Sequence, residues 1–308
     1  MFMGINSTQA ANYMRPSDIK LGHAKHASAG VLPPPVQVVA ITGGKGGTGK
    51  TNIAVNLAQV LAKEGKRTLL LDADLGMANV DVLLGLEPEH TLYDVMCDKC
   101  GLEDILLSGG DNLMIIPAAS GVRQLAVMSR QECAGLVRAF SDLTKPIDTL
   151  IVDTATGISE SAASFCQAAN EILVVVCNEP TSIRDCVAQL RLFYSEYGIT
   201  RFRILANMVG SASEANALFQ SVIAHFSDNH SLQISFAGYI PADENVRKAV
   251  LAHQAIVNAF PRSPAALAVK KLARRIMDWP RPVRAGGHVE FFVERLIDNE
   301  NMEMEVTS

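Results

Sequence analysis

The residues best suited to chemistry come early in the chain. Gly44-Lys45-Gly46-Gly47-Thr48-Gly49-Lys50-Thr51 follow an apolar run from Val36 to Ile41 and precede a helical pattern beginning near Asn52. The string fits G-x-x-x-x-G-K-[ST], a glycine-rich turn between a strand and a helix. Backbone N–H groups of such a turn converge on one concavity, and the helix N-terminus adds partial positive charge there. Phosphate is the ligand that suits it. Lys50 would reach the terminal phosphates of a nucleotide, and the Thr51 hydroxyl would ligate Mg²⁺. Lys45 is an addition, because such a loop needs no charge beside its first glycine. The residues alone leave two readings: a solvated lysine at a loop tip, or a cation that reaches a second nucleotide across a dimer interface.

Phosphoryl chemistry also needs carboxylates, and these stand at the ends of later apolar runs. Asp72 and Asp74 lie in Leu71-Asp72-Ala73-Asp74, with Asn79 and Asp81 downstream. In-line attack on a terminal phosphate requires a water held and polarised opposite the leaving group, which a carboxylate beside the phosphates can do. Ordinary loop carboxylates are the plain alternative. Thr149-Leu150-Ile151-Val152-Asp153 has the Walker B shape and places Asp153 to hold Mg²⁺, usually through a water. Gly157, just beyond, allows that loop to move against the terminal phosphate. Asn207 ends the run from Phe202, and its amide can pair with the adenine edge through one donor and one acceptor. Pro241, Ala242 and Asp243 supply backbone groups at the end of a neighbouring run. The guanine-reading pattern Asn-Lys-x-Asp does not occur, so ATP is expected rather than GTP.

The string from Lys45 to Thr51 resembles the deviant Walker A motif of the MinD/ParA family of dimerising ATPases. The resemblance implies that Lys45 crosses to the partner's phosphates and that Asp74 orients the attacking water. It also implies that Asp72 serves the magnesium shell and that Asn207, Pro241, Ala242 and Asp243 form the adenine pocket. The catalytic set is then Lys45, Lys50 and Asp74. The nucleotide set is Gly44, Lys45, Gly46, Gly47, Thr48, Gly49, Lys50, Thr51 and Asn52 with the adenine residues, and the metal set is Thr51, Asp72 and Asp153. Thr154 stands where the family often has proline. Asn178 to Asp185 reads as a helix start, and in MinD-like proteins this corner faces the dimer partner, which makes Arg184 an interface candidate.

The resemblance covers about residues 36–297. Within the family the chain is most similar to the FlhG/FleN-type regulators of flagellar number, on Leu71 to Leu86, Pro117 to Gly121 and His288 to Leu296. Gln9 to Arg15 loosely resembles the N-terminal Asp-Gln-Ala-x-x-Leu-Arg element of FlhG-type proteins, with Thr8 in place of the Asp and one residue inserted. Slow, regulatory ATP hydrolysis and a homodimer in the ATP state are implied. So are an FlhF-type GTPase and a FleQ-type flagellar transcription activator as partners, with limitation of flagellar number as the effect. Another MinD/ParA-type positioning ATPase, for cell division or for DNA or cargo partitioning, is the alternative.

The elements that must position these residues alternate along the chain. Apolar runs predict strands at 36–42, 67–72, 112–117, 148–153, 171–177, 202–207 and 234–240. Helical patterns fall at 50–64, 129–144, 180–197 and 213–228, and another opens at Ser263-Pro264 and runs to about Met277. Near-continuous apolar strands such as Ile172 to Cys177 imply burial on both faces. The expected fold is α/β: a doubly wound, mostly parallel sheet with helices on both faces, a P-loop NTPase. Ligands bind such folds at the carboxyl ends of the strands, where the residues above cluster.

Three regions are expected: a flexible tail at 1–35 ending in Pro33-Pro34-Pro35, an ATPase domain at 36–280, and a linker with an amphipathic helix at 281–308. Val289, Phe292, Val293, Leu296 and Ile297 recur at helical spacing, which draws one apolar stripe over 288–297. Glu290, Glu294 and Asp298 flank it, and anionic lipid repels such a face. Reversible membrane contact and docking on its own domain or a partner therefore both stay open. Lys270, Lys271, Arg274 and Arg275 crowd one side of the preceding helix, where the macrodipole favours cations.

Composition excludes several classes. A net charge of −5 is not a nucleic-acid footprint, and no sequence-specific DNA binding is expected. No apolar run is long enough to cross a bilayer, and the start of the chain lacks the pattern of a secretory signal. Six cysteines read as reduced thiols, which with the missing signal points to a cytoplasmic protein, peripheral at the inner membrane if the terminal helix binds lipid. Cys97 and Cys100 form a C-x-x-C without the further ligands zinc needs. An iron–sulfur reductase would need cluster cysteines beside the switch loops, and none follows Asp153 before Cys166.

Overall fold

The computed structural model describes residues 34–76, 79–118, 128–282, 286 and 288–297. Nearly all of the expected tail, residues 77–78 of the Asp74 segment, residues 119–121 of the flagellar-type match and the chain beyond 297 lie outside the described residues. In chain order the elements are β1 Gln37–Thr42, α1 Lys50–Lys63, β2 Thr68–Ala73, α2 Val80–Leu84, α3 Leu92–Met96, β3 Leu107–Gly110, β4 Leu113–Ile116, α4 Arg130–Ala139, β5 Thr149–Thr154 and α5 Glu160–Gln167. They continue with β6 Glu171–Cys177, α6 Pro180–Tyr197, β7 Arg201–Val209, α7 Ala212–Ile223, β8 Gln233–Pro241, α8 Glu244–Leu251, α9 Ile256–Ala259 and α10 Pro264–Met277.

The strands form one sheet in the order β3-β4-β2-β5-β1-β6-β7-β8. Every pairing is parallel except β3 with β4 at the edge. Strand β1 alternates its apolar side chains between two cores: Val38 and Ala40 enter one, Val39 and Ile41 the other. Both faces are thus covered, as near-continuous apolar strands require. Helices α1, α9 and α10 cover one face, and α4 to α7 the other. The chain leaves β1 with β5 on one side and β6 on the other, so the loop after β1 opens into the crevice where the winding reverses.

Local signals set several boundaries. Ser129 accepts from the Glu132 N–H and the Glu132 side chain returns the bond to Ser129, a capping box that opens α4. Ser159, Ser211 and Ser263 cap α5, α7 and α10 in the same sense, each worth about 1 kcal/mol. Pro180 begins α6, and Gly198 ends it in the left-handed region. The pattern drawn over 129–144 and that over 213–228 each end in a tighter 3₁₀ turn, at Phe140–Asp142 and Ala224–Phe226. Strand β3 and the helices α2, α3, α5, α8 and α9 are additional to the predicted elements. Leu-Ser-Gly-Gly in β3 is half exposed at the sheet edge and offers only one apolar side chain.

The amphipathic helix expected over 288–297 is not formed as drawn. Helix is confined to 293–297, and Phe292 precedes it with a φ of 56°. Phe291 lies outside the expected stripe, yet it and Phe292 are each only 2% exposed, while Ile297 of that stripe is 44% exposed. Phe291 lies edge-on to Phe140 with ring centroids 4.9 Å apart and roughly parallel to Phe165 at 6.4 Å. Phe292 meets Phe140 edge-on at 6.0 Å, and Arg295 Nη1 donates to the Ile147 carbonyl at 3.1 Å. Burying two phenylalanines gains about 1.5–3 kcal/mol each, which outweighs the weak preference of a short periodic stretch. Of the alternatives for this segment, the structure describes docking on its own domain.

The basic side of α10 is largely tied to the chain itself. Arg275 Nη1 donates to the Ala237 carbonyl, Lys270 Nζ to the Pro261 carbonyl, and Arg274 faces Glu64. Among the described residues, no helix is long and apolar enough to cross a membrane.

Candidate functional site

The glycine loop joins β1 to α1, as its residue order requires. Gly49 stands at the N-cap of α1 with a φ of 90°, in the left-handed region, and a Cβ there would come within 2.6 Å of Asn207 Nδ2. A Cβ on Gly44 would come within 2.4 Å of the Asp185 backbone, so loop and α6 are in main-chain contact. From the β7 side, Asn207 Nδ2 donates to the Thr48 carbonyl at 2.7 Å. The Thr48 hydroxyl in turn donates to the Lys45 carbonyl at 3.3 Å. The cradle is braced before any phosphate enters it.

Three charged groups converge below the loop. Lys50 is 5% exposed; burial pulls its pKa below the usual lysine value, while Asp153 and Asp74 oppose that shift. Asp72 and Asp153 are register partners on β2 and β5, so two carboxylates emerge side by side at the carboxyl end of the sheet. Burial, then the neighbouring Asp153, raises the Asp72 pKa well above the carboxylate range. Burial pushes Asp153 up to about 7, eased by the nearby Thr51 hydroxyl and Lys50. The proximity of Thr51 does not amount to a hydrogen bond, since neither buried oxygen of Asp153 has a partner. An unpartnered buried carboxylate is costly unless a cation or a proton meets it. Asp153, with Thr51 opening the helix beside it, therefore fits a divalent cation.

Asp72 carries a task that sequence reasoning missed. Its Oδ1 accepts from the Asp74 N–H at 3.1 Å, and its Oδ2 accepts from Asn79 and Val80 at 3.0 and 3.1 Å. It organises the loop that carries Asp74 from its place beside Asp153. Asp74 itself follows β2, half-buried and close enough to act on Lys50.

Lys45 points to its own chain. Its Nζ pairs with Glu179, the N-cap residue of α6, and donates to the Thr181 hydroxyl at 3.0 Å. Glu179 and Thr181 were legible only as a helix start. Arg184, further along the same helix, is exposed and faces its neighbour Asp185.

The expected adenine residues come together in part. Asn207 on β7 sits beside Ile240 of β8, and Val209 beside Pro241, with the Ala242 N–H donating to the Val209 carbonyl at 3.0 Å. One N–H of the Asn207 amide is engaged by the phosphate loop, and the amide has a second N–H and its carbonyl oxygen besides. Asp243 is occupied as the N-cap of α8, accepting from Asn245 at 2.9 Å and from Ala265 at 3.1 Å. Asn52 opens α1 and accepts from Asn56 Nδ2 through both its carbonyl and its side chain. Met208, between Asn207 and Val209, was missed; it bulges with a φ of 57° and its Cε reaches over Gly49. Cys97 caps the end of α3, and among the described residues no group of three His, Cys, Asp or Glu side chains gathers around it or elsewhere.

Residues 39–256 match the CobQ/CobB/MinD/ParA nucleotide binding domain. The chain is 51% identical over 265 residues to the antiactivator FleN of Pseudomonas aeruginosa, covering 86% of this chain and 95% of that protein. Among solved structures it is similar to the septum site-determining protein MinD from Pyrococcus horikoshii complexed with Mg-ADP, with TM-score 0.66, 25% identity, and coverage of 78% of this chain and 96% of the other. It is likewise similar to the MinC:MinD cell division complex of Aquifex aeolicus, with TM-score 0.67, 26% identity, and coverage of 82% and 100%.

Proposed function

The chain belongs to the CobQ/CobB/MinD/ParA nucleotide-binding family, and from that premise we propose that it is an ATP-dependent dimerising switch ATPase that restrains flagellar number through partner proteins. The observation that carries the flagellar assignment is the 51% identity to an antiactivator of this kind over nearly the whole of both chains. The two-lysine loop supports the switch.

ATP enters the loop from Gly44 to Thr51, and Lys50 meets its terminal phosphates. Asn207 and Pro241 flank the base. Thr51 and Asp153 would hold Mg²⁺, with Asp72 beside Asp153 at the strand ends. When bound, the ion neutralises charge on the phosphates as the terminal group departs. Asp74 accepts a hydrogen bond from the attacking water and aligns it opposite the leaving oxygen, and the products are ADP and phosphate. Lys45 must leave Glu179 and Thr181 to reach a partner's nucleotide. That exposed pair is worth at most about 1 kcal/mol, so phosphate binding can break it. Hydrolysis is slow because the site is complete only in the dimer. The output is a population shift, which requires ATP to bind the dimer better than the monomer. An FlhF-type GTPase and a FleQ-type activator are the partners this reading implies.

The test joins the switch to its output. Asp74→Ala protein should bind ATP and accumulate as a dimer by light scattering, and cells lacking the chain should carry extra flagella. A monomer in ATP removes the switch; an unchanged flagellar count removes the flagellar role.

A further inference from the structure

The buried face of α6 carries a large polar side chain, Gln189, which is fully buried. Its Nε2 donates to the Gly157 carbonyl at 2.6 Å and to the Thr42 hydroxyl at 3.0 Å. Its Oε1 is buried without a partner. Chemistry sets this orientation, because turning the amide over would face its oxygen onto the Gly157 carbonyl. Gly157 is held on its other side as well: its N–H donates to the Gly43 carbonyl at 3.0 Å, just before the phosphate loop. Both backbone groups of this glycine are therefore engaged. An N–H that donates to Gly43 is not free for a phosphate oxygen, so the loop after Asp153 stands in a phosphate-free arrangement. The same helix holds Lys45 through Thr181 and touches Gly44 through the Asp185 backbone.

We propose that Gln189 is a positioning residue, a latch that ties the Gly157 loop to α6 and makes recognition of the terminal phosphate of ATP depend on its release. This rests on the ATP-switch reading above. The unpartnered Oε1 keeps the latch weak, since a buried acceptor with no donor is a standing penalty of the latched state. Release therefore costs little and frees the loop from α6. ADP has no terminal phosphate and leaves the latch closed.

Removing the donor leaves the Gly157 carbonyl unpaired in the latched state only. Gln189→Leu should therefore favour the released state by about tenfold, from the usual value of one hydrogen bond and the loss of its partner. The experiment measures affinities of the full chain for a non-hydrolysable ATP analogue and for ADP, both with Mg²⁺. The expected result is a gain of about tenfold for the analogue with ADP unchanged. An unchanged ratio of the two affinities, or equal shifts in both, overturns the latch. Should Gln189→Leu not fold, Gln189→Met, closer in shape and also without a donor, decides by the same ratio. Wild-type protein that binds neither nucleotide overturns the switch reading and the latch with it, whereas wild-type binding with no change in the variant overturns the latch alone.

Discussion

Asp153→Asn should make the nucleotide-free protein more stable at alkaline pH while removing its response to Mg²⁺. The wild-type carboxyl titrates near 7 in the folded chain against an ordinary 3.8. Its folded pKa is raised, so between these values the native state holds a proton that the unfolded state has lost. Stability falls as pH rises through that window and levels off above about 7. At about 1.4 kcal/mol per pH unit, the full penalty is about 4 kcal/mol. Asparagine avoids the charge but also withdraws the attraction that supports Lys50, already shifted down by burial. A net gain of about 2–3 kcal/mol at pH 8 is expected, or about 5–10 °C in Tm at the usual 2–4 °C per kcal/mol for a domain of this size. At pH 5 most of the difference should disappear, because wild-type Asp153 is then protonated. Thermal melts of both proteins at pH 5 and 8, without nucleotide, read this directly. Adding Mg²⁺ with ADP should raise the wild-type Tm and leave the variant nearly unmoved. A variant that is no more stable at pH 8, or whose advantage is the same at both pH values, refutes the account of Asp153 as a buried carboxylate awaiting a cation.

The two loop lysines should separate. Lys50→Ala should lose nucleotide binding, whereas Lys45→Ala should bind ATP yet hydrolyse it poorly; equal loss of binding in equilibrium titrations would remove the cross-dimer role of Lys45. Phe291→Ala should cost about 3–5 kcal/mol, because the ring fills space between Phe140 and Phe165. A denaturant midpoint moved by less than about 1 kcal/mol equivalent would show that the terminal segment does not depend on this seat.

The phosphate loop was legible because its function resides in consecutive residues: a strand, a glycine turn and a helix start need only local order. The seven predicted strands were legible for a related reason. Strands buried on both faces must be apolar nearly throughout, and β1, β2, β5 and β6 are buried at every position, whereas β8 at the sheet edge is half-exposed and carries Gln233 and Ser235. Helix α6 carried its own bounds in Pro180 and Gly198. Asp153 could be picked out as the end of an apolar run. Its orphaned oxygens could not, since that depends on β2 lying beside β5 in one register and on Asp72 being turned to the backbone of its own loop.

The remaining differences share that origin. Gln189 carried no signal in the sequence, and its partners Gly157 and Thr42 become its neighbours only when α6 packs across the sheet. Lys45 announced a charge in the loop but not its resting place on Glu179 and Thr181. The Asp243 side chain caps α8 through Asn245, a local bond, and α10 brings the Ala265 N–H to its other oxygen. The terminal segment shows the division most sharply. Its spacing specified an amphipathic helix, and the aromatic socket of Phe140 and Phe165 drew in two adjacent phenylalanines instead. Composition and spacing thus determined the fold class, the phosphate site and its acidic ends, because these rest on local geometry and on burial of whole strands. Partner choice for single polar and aromatic side chains was decided by tertiary packing, where the cost of an unpaired buried group or an unfilled socket exceeds any local preference.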